Sequence, residues 1–185
     1  MNLITRVKNI LLQPKVEWPA IAAESATPQS IYVGYVVILA AIGPLVLLLR
    51  MSIVAAVVQY VIALAVTFLL ALIVDALATT FGGEKNFVQS LKLVAYSYTA
   101  PWVAAIFLLI PVLGGIIALL ATIYAWYTFY LGVPVLKKCP QDKAIGYTIV
   151  VLICGILLGV VLAGFLMSMV LGGGVMGMNT MGMFR

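Results

Sequence analysis

Five apolar runs, at 31–49, 52–78, 90–110, 112–135 and 144–171, dominate this chain of 185 residues. A helix rises 1.5 Å per residue, so about 20 apolar residues cross the hydrocarbon core of a bilayer. The first two runs cannot form one helix, because 31–78 would extend roughly 70 Å, and Arg50 interrupts them. Pro111 with Gly114-Gly115 marks a tight turn between the third and fourth. Phe81-Gly82-Gly83-Glu84-Lys85-Asn86 and Lys137-Lys138-Cys139-Pro140-Gln141-Asp142-Lys143 read as polar loops. Lipid offers no partner to backbone amides, and runs of this length satisfy their own as helices. The expected fold is all-α, a polytopic transmembrane bundle of five helices over 31–171, with Gly43-Pro44 as a kink in the first.

Composition supports this reading. Hydrophobic residues make up 65% and charged residues 8%, against about 45–50% and about 25% in a soluble domain. A soluble enzyme, a disordered regulator and a secreted disulfide scaffold are excluded. Cys139 lies in a loop and Cys154 in an apolar run, so no disulfide is expected. Histidine is absent. That removes a Ser–His device, and the single intramembrane acid, Asp75, cannot form a protease dyad. No catalytic residue and no cofactor is expected. The net charge of +5 sits between apolar runs. It is better explained by topology and anionic lipid headgroups than by nucleic acid.

Residues 1–30 form an N-terminal segment of their own. Leu3, Ile4, Val7, Ile10 and Leu11 follow helical spacing, which predicts a short amphipathic helix at the membrane interface, ended by Pro14. Trp18-Pro19 and Thr27-Pro28 read as interfacial turns, with Trp18 a headgroup anchor. This segment carries both charge signs and prolines without an apolar core, so no cleavable signal peptide is expected. Arg6, Lys8, Lys15, Lys85, Lys92, Lys137, Lys138 and Lys143 fall on one side of a five-span topology, and Arg50 and Arg185 on the other. The positive-inside rule then places the N-terminus in the cytosol and the C-terminus outside.

Asp75 is the one acid within a run. A charge there is costly unless paired. Lys92 lies at similar depth, and Tyr96-Ser97-Tyr98-Thr99-Ala100-Pro101-Trp102 is too polar for a lipid-facing helix. Asp75, Lys92, Tyr96, Ser97, Tyr98 and Tyr127 therefore form the candidate intramembrane cluster. It is either a structural pair with an aromatic belt or a polar cavity serving ions or protons. Gly155, Gly159 and Ala163 recur every four residues and predict a seam for close helix packing, within the chain or across a dimer axis. The Gly/Met-rich tail at 172–185 is expected to be flexible. Met176, Met178, Met181 and Met183 could offer soft thioethers to Cu(I), although an apolar tail is the simpler reading and no metal site is favoured.

Leu11-Leu12-Gln13-Pro14-Lys15-Val16-Glu17-Trp18-Pro19, Phe81-Gly82-Gly83, Ala95-Tyr96-Ser97 with Pro101, and Tyr147 after the Lys143 loop resemble the Yip1 family in its bacterial branch. The resemblance runs from residue 1 to about 170, and the tail is not part of it. Eukaryotic members sit in Golgi and endoplasmic reticulum membranes, bind Rab-type GTPases and act in vesicle traffic. This chain lacks their long hydrophilic N-terminal domain, and a bacterial member would lack Rab partners. The resemblance therefore implies an integral inner-membrane (plasma-membrane) protein acting as a non-catalytic scaffold or adaptor, with lipid, a second copy and an unnamed protein as its partners. A small channel or transporter built around Asp75 and Tyr96–Tyr98, and Cu(I) handling by the tail, are the alternatives.

Overall fold

The computed structural model describes residues 2–50 and 53–181, with side chains through residue 165. Among them there is no strand. Five helices are long and apolar enough to span a bilayer. Two shorter ones precede them: α1 (Leu3–Leu12) and α2 (Pro14–Ala23). The spans are α3 (Pro28–Arg50), α4 (Ile53–Phe81), α5 (Phe87–Leu109), α6 (Leu113–Leu136) and α7 (Gln141–Met181). α7 thus continues beyond the expected end at 171.

Asn2 caps α1 by accepting from the Ile4 amide at 3.2 Å. Pro14 ends α1 as expected, but it also starts α2, because a proline fits the first helical position where no amide bond is needed. Trp18-Pro19 is therefore not a turn. Both residues lie inside α2, and Trp18 is fully buried rather than anchored at a headgroup. The two helices form a hairpin whose tip points into the bundle. The Tyr124 hydroxyl donates to Leu11 O at 2.8 Å, and Tyr124 lies twelve residues, roughly 18 Å, from the end of α6 at Leu136. The other end of α2 surfaces where Gln89 Nε2 donates to Ala22 O at 3.2 Å.

Two spans are broken by proline. In α3 the helix is interrupted at Ala41, three residues before Pro44, because Pro44 has no amide to give to Ala40 O. In α5 the same shortage at Pro101 coincides with a break at Tyr98. α5 is the centre of the bundle, with 67% of its apolar window buried, whereas α7 at 11% is attached at the edge. α4 and α6 flank α5, α7 packs on α4 and α6, α3 packs on α4 and α5, and the hairpin closes onto α5 and α6. Exposed Val54, Val57, Ile116, Leu119, Ile123 and Val160 make the outer faces apolar, as a lipid solvent requires.

Gly82 ends α4 with φ +75°, the left-handed cap that glycine adopts freely. Gly83 follows at close quarters: a Cβ there would stand 2.8 Å from Lys137 O. Glu84 N donates to that same carbonyl at 2.8 Å. The two polar loops are thus pressed together at the end of the bundle that carries the hairpin.

Candidate functional site

The candidate cluster divides into separate places. Asp75 ends near the loops and accepts from Lys137 Nζ at 2.9 Å, the Asn86 amide at 2.8 Å and the Ser90 hydroxyl at 3.0 Å. The Lys137 side chain is fully buried. Its three ammonium hydrogens match three acceptors: Asp75 Oδ1, Ser90 Oγ at 2.7 Å and Asn86 O at 3.2 Å. Burial pushes Lys137 below the ordinary lysine range, against the opposing pull of the Asp75 carboxylate. Beside it the Tyr147 hydroxyl donates to Val74 O, and its ring stacks on Phe81 at 5.0 Å.

Lys92 is not the partner of Asp75. Its Nζ donates to Ile21 O at 2.8 Å and Glu24 O at 2.5 Å, the carbonyls at the end of α2. The reason is angular. Two residues on a helix turn through about 200°, so Ser90, which faces Asp75, and Lys92 must point to opposite sides of α5. Tyr96, one turn beyond Lys92, shares its face. It lies under the Arg6 guanidinium, 5.5 Å from the ring centroid, and edge-on to Tyr35 at 4.5 Å. Arg6 donates to Glu17 Oε1 at 2.5 Å and to Glu24 Oε1, and Asn9 Nδ2 donates to Glu17 Oε2 at 2.9 Å. The Tyr35 and Thr99 hydroxyls are 2.6 Å apart. Arg6, Glu24, Tyr35 and Tyr96 line a pocket of about 290 Å³.

Ser97 is buried, and its Oγ has no hydrogen-bond partner among the described residues. Tyr98 turns elsewhere, packing on Trp102 and Trp126 at 6.1 and 6.4 Å. With Gln59, Trp102 and Thr122 it lines a second cavity of about 260 Å³, set between the Pro44 and Pro101 breaks. Tyr127 is half exposed and pairs with Tyr124 at 5.9 Å, outside all three places.

The small-residue seam on α7 is only partly used. A Cβ at Gly155 would touch Leu70 at 3.5 Å and Trp126 at 3.7 Å, but one at Gly159 would meet nothing within 4 Å, and Ala163 is exposed. Within the chain, close packing therefore stops at Gly155 because α7 stands at the edge of the bundle. The side chains of Met176, Met178, Met181 and Met183 lie outside the described residues.

Sequence reasoning missed Lys137, Ser90 and Asn86 on one side of α5, and Arg6, Glu17 and Glu24 on the other. A signal for the second group was present: Glu17 and Glu24 can neutralise Arg6, so that helix could go inside rather than lie flat.

Five apolar spans, a buried ion pair tying the loops and a docked N-terminal hairpin define an integral membrane protein with a helical bundle fold. The chain belongs to the Yip1 family: the family model, Yip1 domain, matches residues 8–163, from within the hairpin to the exposed part of α7. No curated protein and no solved structure matches the sequence.

Proposed function

We propose that this protein is a non-catalytic scaffold or adaptor of a bacterial inner membrane, with the N-terminus in the cytosol and the C-terminus outside. The observation that supports this is how its buried charges are used. Asp75 is spent on Lys137, and Arg6 on Glu17 and Glu24. Between these groups the bundle is closely packed, with Leu70, Ala71, Val74, Leu91, Val94 and Ala95 all fully buried. In this reading the paired charges serve to hold the shape of the bundle. Exposed Lys85 and Lys143 in the polar loops give anionic headgroups a place to gather, and a protein partner or a second copy completes the role.

Reconstitution into liposomes tests the reading. The scaffold passes no protons or monovalent cations, and affinity purification from native membranes with crosslinking returns a partner in fixed stoichiometry. A flux abolished by Asp75→Asn in a folded protein would overturn it. Alkaline phosphatase fused after residue 185 is active if the tail is exported. An inactive fusion together with a fluorescent cytosolic reporter at the same point would reverse the orientation.

One observation favours a small channel or transporter as the second reading. Interrupted helices at membrane depth are found where they line a cavity, and the cavity between Pro44 and Pro101 is such a place. Its polar side chain Gln59, rather than Asp75, would then be the group whose removal stops flux.

A further inference from the structure

The geometry points to the pocket between α1, the 24–26 linker and α3 as a binding site for the headgroup of an aminophospholipid, with phosphate on Arg6 and the primary ammonium on Glu24. The pocket holds about 290 Å³ and is walled by Arg6, Glu24, Ser25, Gly34, Tyr35 and Tyr96. This inference stands apart from the scaffold reading, because a channel or an adaptor could equally carry such a site.

Three features select the ligand. First, the Arg6 side chain is 5% exposed, and only two of its five N–H donors are engaged, by Glu17 and Glu24. It is rigidly held and still has hydrogens to offer a phosphate oxygen. Second, Glu24 keeps 42% of its side chain exposed and binds Arg6 through Oε1, leaving Oε2 for a donor. An ethanolamine ammonium can donate to it, whereas a choline cannot. Third, Arg6 and Lys92 balance Glu17 and Glu24, so the surroundings sum to zero. A phosphatidylglycerol would add an uncompensated negative charge beside two carboxylates, whereas a zwitterion adds none.

The opening favours a lipid over a free metabolite. Gly34 and its neighbour Val33 are exposed on a membrane-spanning helix, so a headgroup in the pocket leaves its acyl chains along the apolar surface of α3. Gly34 also supplies the test, because a Cβ there meets nothing within 4 Å. A side chain added at that position occupies the pocket without displacing protein.

The full chain is delipidated and offered dioleoyl phosphatidylethanolamine, phosphatidylcholine or phosphatidylglycerol in mixed micelles, with bound lipid read by native mass spectrometry and the thermal midpoint followed. The expected result is one retained phosphatidylethanolamine, preferred about tenfold over the other two, as one charge-assisted hydrogen bond implies. Gly34→Leu keeps the lipid-free midpoint and loses the preference. Glu24→Gln makes phosphatidylethanolamine and phosphatidylcholine equal. Soluble phosphoethanolamine at the same concentration raises the midpoint less than the lipid does. Equal retention of all three lipids, an unchanged preference in either variant, or an equal effect of the soluble headgroup would each overturn the proposal.

Discussion

Lys137 has its three donors filled, so taking away its carboxylate partner leaves an ammonium with nowhere to go. Asp75→Asn keeps the shape and removes the charge. It is expected to cost on the order of 2–3 kcal/mol, less than the 3–5 typical of a fully buried pair, because the Asp75 side chain is 22% exposed. The thermal midpoint in detergent checks this, and adding Lys137→Met should recover part of the loss. A wild-type midpoint for Asp75→Asn would show that the pair holds nothing. Next to it, the Cys139 thiol donates to Phe81 O at 3.2 Å. Burial pushes that thiol up, and Asp142 adds to the effect. Since the thiolate is the reactive form, maleimide at pH 7–8 should leave Cys139 unmodified until the fold is opened, then label it fully. Rapid labelling of the native protein would show that the loops are open. Depth along a helix is the part a sequence can carry for these residues: Asp75 bonds to the Asn86 amide and Lys92 to the carbonyls at the end of α2. Azimuth was only partly readable. The 200° between Ser90 and Lys92 follows from helical geometry, but that Lys137 faces Asp75 depends on how α6 packs beside α4 and α5.

Among the elements, the hairpin is the one whose attachment can be broken without touching a span. Trp18 donates its indole N–H to Thr128 O at 3.0 Å, and a Cβ at Gly132 would stand 2.8 Å from the same ring. Trp18→Ala removes that bond and a large buried side chain, an effect worth about 3–5 kcal/mol. Hydrogen exchange should then accelerate over residues 3–23 while α4, α5 and α6 stay protected. Gly132→Ala would press on Leu93 of α5 at 2.5 Å as well as on Trp18, so its effect should reach α5 and α6 besides the hairpin. Uniform loss of protection in Trp18→Ala would mean the hairpin and the bundle open as one unit. The first helix of this hairpin was legible from apolar spacing. The second was not, because prolines at 14 and 19 read as breakers, and nothing in the local pattern shows that Pro14 stands where a helix tolerates it. The interruption of α3 was easier: Gly43-Pro44 inside an apolar run has few other meanings.

At the scale of the whole molecule, α7 shows how loosely an edge helix is held. It is anchored near the loops by Tyr147 and Val151, both fully buried, and then leaves the other spans. Gly155→Leu should lower the midpoint, since Leu70 and Trp126 are already in van der Waals contact with the space it needs. Gly159→Leu should leave the midpoint unchanged or raise it, through a stability gain of up to about 1 kcal/mol from helix propensity over glycine. A large loss at Gly159 would reveal a second chain against this face. Crosslinking through a cysteine at Ile156 would separate that case from a monomer. The five spans were visible as five runs of hydrophobicity. Their arrangement around α5 was not, because periodicity is nearly silent in helices that are apolar on every side.

The hairpin also sets an order of events during synthesis. Trp18 emerges 110 residues before Thr128, its hydrogen-bond partner. At about 5–20 residues per second, the N-terminal segment waits roughly 5–20 s for a place to dock. Throughout that interval Arg6, Glu17 and the indole have no bundle to enter, and the segment must rest on the bilayer surface or on a helper. Its amphipathic first helix equips it for the surface. A late step of folding is then a peripheral segment becoming an internal one, and it completes only after the fourth span is in the membrane.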